Sequence, residues 1–114
     1  MISYDDFAKL EIKIGTILSV DVVEDADKLL RLLVDVGERD DEGNVVPRQI
    51  ISGIRTYFED PQLLVGRQCP FLTNLEPRTI RGFESQGMIL AASNDDSFAL
   101  LHPHIALAPG SKVK

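Results

Sequence analysis

Apolar and polar residues alternate along three stretches in the first half of the chain, the pattern of strands buried on one face. These stretches run from Ile12 to Val22, from Lys28 to Val36 and from Val45 to Ser52. In the first stretch the even-numbered residues are expected to face a core, and Gly15 predicts a bend or bulge. The pattern therefore predicts three β-strands that share one core.

Capping residues predict short helices at two places. Ser3 stands at an N-cap position with Asp6 three residues later, which indicates one or two helical turns near the N-terminus. Asp60 and Pro61 supply the N-cap and first-turn residues of a second helix, and Gly66 ends it. Both helices are short, so strands make up most of the predicted fold.

The second half of the chain supplies two further strands and a tail. Arg67 to Thr73 predicts a fourth strand, and the uncharged run Met88 to Ala92 predicts a fifth. Residues His102 to Lys114 read as extended segments and turns. Three strands, a short helix and two more strands are the order of an OB-fold, a five-stranded Greek-key barrel. The pattern alone predicts a small all-β barrel with a helical plug, in which the short helix lies between strands three and four, with a short N-terminal helix and a C-terminal extension.

Length and composition indicate one globular domain over residues 1–114. Of the 114 residues, 44% are hydrophobic and 26% are charged, a balance typical of soluble domains. No apolar run approaches the ~20 residues of a membrane span, and the acidic start does not resemble a signal peptide. The single cysteine, Cys69, lies in an apolar run. We therefore expect a buried thiol and a cytoplasmic protein.

The sequence lacks the patterns that mark common catalytic and metal sites. It has no phosphate-binding glycine loop and no Cys/His spacing of a zinc site. His102 and His104 could share one face of a strand, but two imidazoles without a third ligand make a poor metal site. The sequence therefore predicts a protein that is not an enzyme and that uses no metal or cofactor.

Charge is distributed unevenly along the chain. The net charge of −6 speaks against a generally basic surface of the kind that binds nucleic acids. Residues 1–60 hold 14 acidic and 7 basic side chains, whereas residues 61–114 hold 4 acidic and 5 basic ones. An anionic partner would therefore meet a local patch rather than a global positive field.

The segment from Asn74 to Ala92, called the signature segment below, combines turn-forming residues with hydrogen-bond donors. It reads N-L-E-P-R-T-I-R-G-F-E-S-Q-G-M-I-L-A-A. Gly82 and Gly87 are positions where the backbone can take a positive φ or approach another group closely. The polar side chains without an evident core role are Asn74, Arg78, Arg81, Ser85 and Gln86. A loop of this composition predicts a binding function.

The signature segment resembles the motif N-L-x-P-R-x-x-R-G-x-x-S-Q-G-M-x-L-A-A of the tRNA-binding OB-fold domain family. Two further stretches agree in order, namely A-D-K-L at 26–29 followed by V-D-V-G-E at 34–38, and R-Q-I-I-S-G-I at 48–54. That family includes free-standing tRNA-binding proteins and the C-terminal domain of many methionyl-tRNA synthetases. The resemblance implies an OB-fold that binds tRNA. It places in the tRNA-binding cleft Lys28, Asn74, Ser85 and Met88.

Ten residues form the predicted RNA-binding set. The planar fork of arginine binds two phosphate oxygens, and amides or hydroxyls can reach a 2′-OH or a base edge. The set is Lys28, Arg31, Arg48, Ser52, Asn74, Arg78, Arg81, Ser85, Gln86 and Met88. The alternatives are a turn cap for Asn74, a core role for Met88, turn stabilisation by Ser85 and Gln86, and pairing of Arg78 and Arg81 with Glu76 and Glu84.

Aromatic side chains are scarce for a protein that stacks single-stranded bases. Tyr57, Phe58 and Phe83 are the candidates for exposure, whereas Phe71 is expected in the core. Together with the acidic charge, this scarcity favours recognition of a folded RNA by its shape. A mutation of Ser85 to alanine is expected to weaken that binding and to leave the fold intact.

The sequence therefore predicts a non-catalytic, cytoplasmic tRNA-binding protein whose contacts follow the shape and backbone of the RNA. The resemblance implies a homodimer, because family members pair two barrels on one tRNA, and a link to an aminoacyl-tRNA synthetase. Three alternatives stay open: a methionyl-tRNA synthetase C-terminal domain acting in cis, a chaperone-like protein-binding module on the same fold, and a generic single-strand binder. The acidic run Asp40 to Glu42 departs from the family pattern.

Overall fold

A five-stranded antiparallel sheet forms the barrel of this protein, which a computed structural model describes from Met1 to Lys114. The strands are β1 (Ile12–Val22), β2 (Leu30–Asp35), β3 (Arg48–Ser52), β4 (Gln68–Leu72), β5 (Arg78–Ile80), β6 (Phe83–Ser85), β7 (Met88–Ile89), β8 (Ala91–Ser93) and β9 (Phe98–Leu100). The order across the main sheet is β3-β2-β1-β4-β7. The C-terminal half of β1 pairs with β2 and its N-terminal half with β4, so the sheet curls into a nearly closed barrel. The predicted all-β OB-fold is confirmed.

The helices are short, and two of the three begin at the predicted caps. They are α1 (Tyr4–Ala8) and two 3₁₀-helices, Arg55–Tyr57 and Pro61–Leu64. The backbone N–H of Asp6 donates to the Ser3 hydroxyl at 3.1 Å, and the Ser3 N–H donates back to the Asp6 carboxylate. The Asp60 carboxylate accepts from the Gln62 N–H at 3.1 Å, so the helix between β3 and β4 forms as a 3₁₀ turn. None of these helices has the length and apolarity needed to cross a membrane.

The core lies between the facing strands of the barrel. Leu30, Leu32 and Val34 of β2 are fully buried, as the period-two pattern predicted. Phe71 and Cys69 of β4 are buried beside them, at 0% and 1% exposure. Burial raises the pKa of the Cys69 thiol to about 11, so this thiol is protonated and unreactive near neutral pH.

β1 departs from the simple alternation expected from its sequence. Its register against β2 shifts between Ile17 and Ser19, so Ile17 is buried while Leu18 is 43% exposed. Gly15, the predicted site of the bulge, pairs in regular register with β4. A β-carbon at Gly15 would lie 2.6 Å from Val34 Cγ1. The predicted bulge position is therefore wrong, because close packing is what requires glycine at this position.

The signature segment contains more structure than the sequence predicted. The predicted fifth strand is divided: β7 pairs with β4, whereas β8 pairs with β9. Between them, the N–H of Leu90 donates to the carbonyl of Pro70 at 3.0 Å. Upstream, β5 and β6 form a hairpin that no pattern indicated. This hairpin carries three of the ten predicted RNA-binding residues, Arg78, Arg81 and Ser85.

The C-terminal extension returns along the N-terminal half of β1. The N–H of Ile14 donates to the Ser111 carbonyl, and the N–H of Gly110 donates to the Ile14 carbonyl, both at 2.8 Å. The side-chain amide of Gln68 holds the backbone of Leu107 through two hydrogen bonds, at 2.6 and 3.0 Å. The extension is therefore tied to the barrel by backbone pairing.

Candidate nucleic-acid interface

Two loops at one end of the barrel enclose a cleft. The β1–β2 loop supplies residues 25–29, and the connection from β4 to β7 supplies Arg81, so that a space of about 400 Å³ lies between them. Arg81 stands at the tip of the β5–β6 hairpin. In OB-folds these two loops, together with the face of strands two and three, bind oligonucleotides. The candidate surface is therefore this end of the barrel.

A few hydrogen bonds, most of them involving a side chain and none part of a strand ladder, close the barrel between β3 and the signature segment; this contact is called the seam below. The Gln86 N–H donates to the Gln49 carbonyl at 2.7 Å, and Gln86 Oε1 accepts from the Gln49 N–H at 2.9 Å. Ser85 Oγ accepts from the Ile51 N–H at 3.0 Å and donates to the Gly87 carbonyl at 3.2 Å. Ser85 is only 6% exposed. Its hydroxyl therefore satisfies a buried backbone amide.

Arg48 ties three segments together at the edge of the seam. Its Nε and Nη2 donate to the two carboxylate oxygens of Glu38, at 2.7 and 3.1 Å. Its Nη1 donates to the carbonyl oxygens of Thr73 and Gln86. The hydrogen bonds from Arg48 hold the pKa of the Glu38 carboxyl below its usual range. Most N–H donors of the Arg48 guanidinium are therefore used in hydrogen bonds within the chain.

Arg31 is held on the β2–β3 face by contacts with its neighbours. Its Nε donates to Gln49 Oε1 at 2.6 Å, and its Nη1 donates to Asp21 Oδ2 at 3.2 Å. The guanidinium also lies 5.6 Å from the ring centroid of Phe83, a cation–π contact with the hairpin. Gln49 in turn donates to the Glu84 carbonyl at 2.8 Å. The ion pair with Asp21 offsets the positive charge of Arg31.

Asn74 fastens the start of the signature segment to the N-terminal part of the chain. Its Oδ1 accepts from the Glu11 N–H at 2.9 Å, and its Nδ2 donates to the Lys9 carbonyl at 2.7 Å. These partners lie 63 and 65 residues away along the chain. Asn74 is therefore a long-range tether that caps the turn between α1 and β1, which fits the turn-capping alternative.

Three predicted cations are exposed and have no ionic partner. Four ion pairs occur in the chain, and none includes Lys28, Arg78 or Arg81. The pairs with Glu76 and Glu84 that the sequence left open do not form. Lys28 and Arg81 line the cleft, whereas Arg78 lies at the base of the hairpin opposite Ser85; all three side chains are exposed to solvent.

The tip of the β5–β6 hairpin has an unusual backbone for its sequence. Arg81 and Gly82 have φ of +53° and +85°, as in the type I′ turns that join many two-residue hairpins. Asparagine or glycine is preferred at the first of these positions, because a β-carbon is crowded at positive φ. This turn presents an arginine at that position.

Met88 and Ser52 complete the predicted set. Met88 is 44% exposed, so the core alternative for this residue is wrong. It lines a small cavity of about 80 Å³ together with Leu75 and Ile80. Ser52 is half-buried at the end of β3, opposite Leu30. The predicted set is therefore divided: Ser52 lies at the cleft end of β3, whereas Arg48 lies at the opposite end of that strand, and only some of the residues are free.

Almost the whole chain matches one family model. The model is described as "Putative tRNA binding domain", and the match covers residues 12–112. The chain belongs to the tRNA-binding domain family. The seam, the cleft and most of the C-terminal extension all lie inside the matched region.

Curated relatives of this tRNA-binding domain include methionine–tRNA ligases. The ligase of Porphyromonas gingivalis is 44% identical over 114 residues, and that of Deinococcus radiodurans is 43% identical over 115. These alignments cover 99% and 100% of the chain but 16% of each ligase. The chain therefore spans about one sixth of the length of the curated relatives it matches.

Solved structures include similar proteins of nearly the same length. A MetRS-related protein from Pyrococcus horikoshii superposes with a TM-score of 0.87 at 29% identity, covering 100% of this chain and 98% of that one. The chaperone CsaA from Bacillus anthracis gives a TM-score of 0.83 at 27% identity, covering 100% and 99%. The same tRNA-binding domain fold thus occurs within long ligases and in chains of its own size.

Two residues of the seam are missing from the predicted set. Gln49 contacts Arg31 and Gln86, and Glu38 holds Arg48. Gln49 is the polar residue next to Ile50 in R-Q-I-I-S, so its place outside the core could be read from the alternation. Its partners could not, because they lie on other strands whose proximity only the closed barrel creates.

Proposed function

We propose that this chain is a single, non-catalytic tRNA-binding domain that recognises folded tRNA by its shape and its sugar–phosphate backbone. The observation that carries the proposal is the family match over residues 12–112. The exposed, unpaired cations Lys28 and Arg81 in the cleft and Arg78 on β5 support it, because arginine and lysine are the usual phosphate ligands. A reducing cytoplasm fits the buried free thiol of Cys69.

The aromatic inventory favours a folded RNA over a splayed single strand. Tyr57 is 57% exposed, but Phe98 stacks on its ring at 4.0 Å. Phe58 packs against the core, and Phe83 carries Arg31 over its ring. Few rings are therefore free on both faces, and strong non-specific binding of single strands normally needs a row of such platforms.

We propose that two copies of the chain pair to present one tRNA-binding surface. The C-terminal extension supports this proposal, because it leaves apolar side chains on the surface of the barrel. Leu101, Ile105 and Leu107 are 42%, 59% and 38% exposed. Burying such side chains against a second copy is favourable. Sedimentation at micromolar protein concentration distinguishes a dimer from a monomer.

A second candidate function is action in cis within a methionyl-tRNA synthetase. It is favoured by the ligases to which the chain aligns over 16% of their length. In that case the domain would raise the affinity of the synthetase for tRNA. The test compares a synthetase that lacks such a domain in two forms, one mixed with the isolated chain and one covalently fused to it. A gain in tRNA affinity in the fusion but not in the mixture would favour this alternative.

A protein-binding role is the third candidate, and the CsaA structure, described as a chaperone, is the reason to consider it. The apolar cavity beside Met88 measures about 80 Å³, small against the roughly 300–1,000 Å³ of typical ligand pockets. A peptide would therefore have to lie on the surface rather than in this cavity. Saturable binding of unfolded polypeptides that folded tRNA does not displace would support the chaperone role.

The decisive experiment is a titration of fluorescent folded tRNA at about 50 and 200 mM salt, the range over which phosphate contacts lose affinity steeply. Three or more phosphate contacts predict that the affinity for tRNA falls roughly tenfold or more between these two salt concentrations. An unstructured RNA of equal length serves as competitor. Absence of binding at low salt, or equal displacement by the unstructured RNA, contradicts recognition of folded tRNA.

A further inference from the structure

The cleft at the loop end of the barrel holds a balanced set of free charges. It is lined by Asp25, Asp27, Lys28 and Arg81, two carboxylates and two cations. None of the four forms an ion pair in the chain. Arg31, on the neighbouring β2–β3 face, has internal partners instead. All four charged side chains are exposed, so a ligand in this space of about 400 Å³ would meet two carboxylates and two cations.

Backbone conformation singles out the same cleft. The chain has two non-glycine residues with positive φ, Asp25 at +59° and Arg81 at +53°, and both line it. Aspartate tolerates this region fairly well, but arginine rarely adopts it. Asparagine or glycine would make the hairpin turn more stable. Non-glycine residues held in such conformations cluster at ligand sites. The strained backbone of Arg81 is therefore what a ligand-binding arginine at this position would require.

The charge pattern defines the chemistry of the occupant. A site for phosphates alone would carry cations without carboxylates, since carboxylates repel the ligand. A nucleotide presents both an anion and, on its base, N–H donors. Guanine has two adjacent donors on its Watson–Crick edge, the N1–H and the 2-amino group, and one carboxylate can accept from both. A space of about 400 Å³ lies within the range of small-molecule sites.

We propose that the cleft binds one unstacked guanosine nucleotide of the RNA, with Lys28 and Arg81 on the phosphate and Asp27 on the guanine edge. Asp27 is assigned this role because it lines both this cleft and a second cleft beside Arg55. It therefore lies between the two clefts. The proposal rests on the RNA-binding function proposed above and adds a base-specific contact to a surface that otherwise follows shape.

The first test compares mononucleotides. The ¹⁵N-labelled protein is titrated with GMP, AMP, CMP and UMP to several millimolar, while its binding of folded tRNA is measured in parallel. We expect the amide signals of residues 25–29 and of Gly82 to shift with GMP at concentrations at least fivefold lower than with the other three. Equal shifts with all four nucleotides would mean a phosphate contact alone and overturn the guanine assignment.

The second test uses Arg81→Asn, which suits the type I′ turn. We expect its melting temperature to rise by a few degrees, while its affinity for GMP and for folded tRNA falls about fivefold or more. The matched control is Arg67→Asn, an exposed arginine at the start of β4 that lies outside the cleft. Unchanged affinity of Arg81→Asn for both ligands, at any stability, would show that the arginine serves no ligand.

The third test is Asp27→Asn, with Asp41→Asn as the control for loss of one surface carboxylate. An asparagine amide cannot accept both guanine donors on one group, so we expect the preference for GMP over AMP to fall to about one. If tRNA binds the natural chain but GMP does not, this inference fails while the proposed function stands. If the natural chain binds neither, both fail.

Discussion

The two sides of the β5–β6 hairpin differ in what their polar side chains contact. On the β6 side, which meets β3, the side chains of Ser85 and Gln86 form hydrogen bonds with β3, and Ser85 is buried. On the β5 strand and at the tip, Arg78, which pairs with Ser85, and Arg81 are exposed without an ionic partner. Sequence alone gave all four the same expected role as RNA contacts.

The difference follows from how the barrel closes. β3 is not joined to β7 by a ladder of backbone hydrogen bonds, so the N–H groups of Gln49 and Ile51 need other acceptors. The side chains of Gln86 and Ser85 supply them. Along β5 and at the hairpin tip no further strand lies alongside, so long charged side chains stay in solvent. The seam therefore holds β6 against β3, whereas β5 and the tip stay exposed.

The largest expected effect is on the seam, from Gly87→Ala. Gly87 has φ +144°, and a β-carbon there would lie 2.7 Å from the Leu72 carbonyl oxygen and 3.1 Å from Ile50 Cδ1. We expect the free energy of unfolding to fall by about 3 kcal/mol or more. Gly82→Ala is the matched control, because Gly82 also has a positive φ but has open space around it. In this variant the free energy of unfolding should fall by about 1 kcal/mol. Urea unfolding followed by circular dichroism measures both, and equal losses would contradict the role of the seam.

Ser85→Ala tests whether the base of the hairpin binds RNA or builds the fold. Removing the hydroxyl leaves the buried Ile51 N–H without an acceptor, which costs about 1–3 kcal/mol. We expect the melting temperature to fall while the tRNA affinity of the folded protein stays within about twofold. Ser93→Ala, on the exposed strand β8, is the control. A stable Ser85→Ala protein with weakened binding would restore the role expected from the sequence.

Arg78→Ala tests the free part of the hairpin. We expect stability to be unchanged, tRNA affinity to fall several-fold, and the slope of log affinity against log salt to decrease by about one, as for loss of one phosphate contact. Titration at three or more salt concentrations measures the slope. Arg67→Ala controls for net charge, and an equal change in that variant would assign the effect to the overall field.

The smallest expected effect is a loss of stability in acid. Arg48 lowers the pKa of Glu38 in the folded protein, and Arg39 lowers that of Asp35. A carboxyl with a lowered pKa stabilises the fold above its ordinary pKa of about 4, and this contribution disappears as the pH falls through the lowered value. Because Glu38 is partly exposed, we expect the contribution of its ionised carboxylate to the free energy of unfolding to stay below about 1 kcal/mol. Urea midpoints between pH 7 and pH 3 should fall less steeply for Glu38→Gln.

The accuracy of prediction from sequence depended on how local each cause was. The alternation of β2 and the cap at Asp60 were read correctly, because each reports residues a few positions apart. The bulge was placed at Gly15, although the reason for that glycine is the approach of Val34 from another strand. The β5–β6 hairpin was missed because its turn is Arg-Gly, and the usual signal is Asn-Gly or Asp-Gly.

By itself, the sequence determined the class of this protein: an all-β barrel with its polar motif on the β4–β7 connection, and membership of the tRNA-binding domain family. Periodicity and motif order are properties of the chain that need no coordinates. Which motif residues are free was decided only by the tertiary structure. Ser85 and Arg81 are four residues apart, yet one meets an unpaired amide of β3 and the other meets water. That outcome depends on where distant strands lie, which spacing along the chain cannot specify.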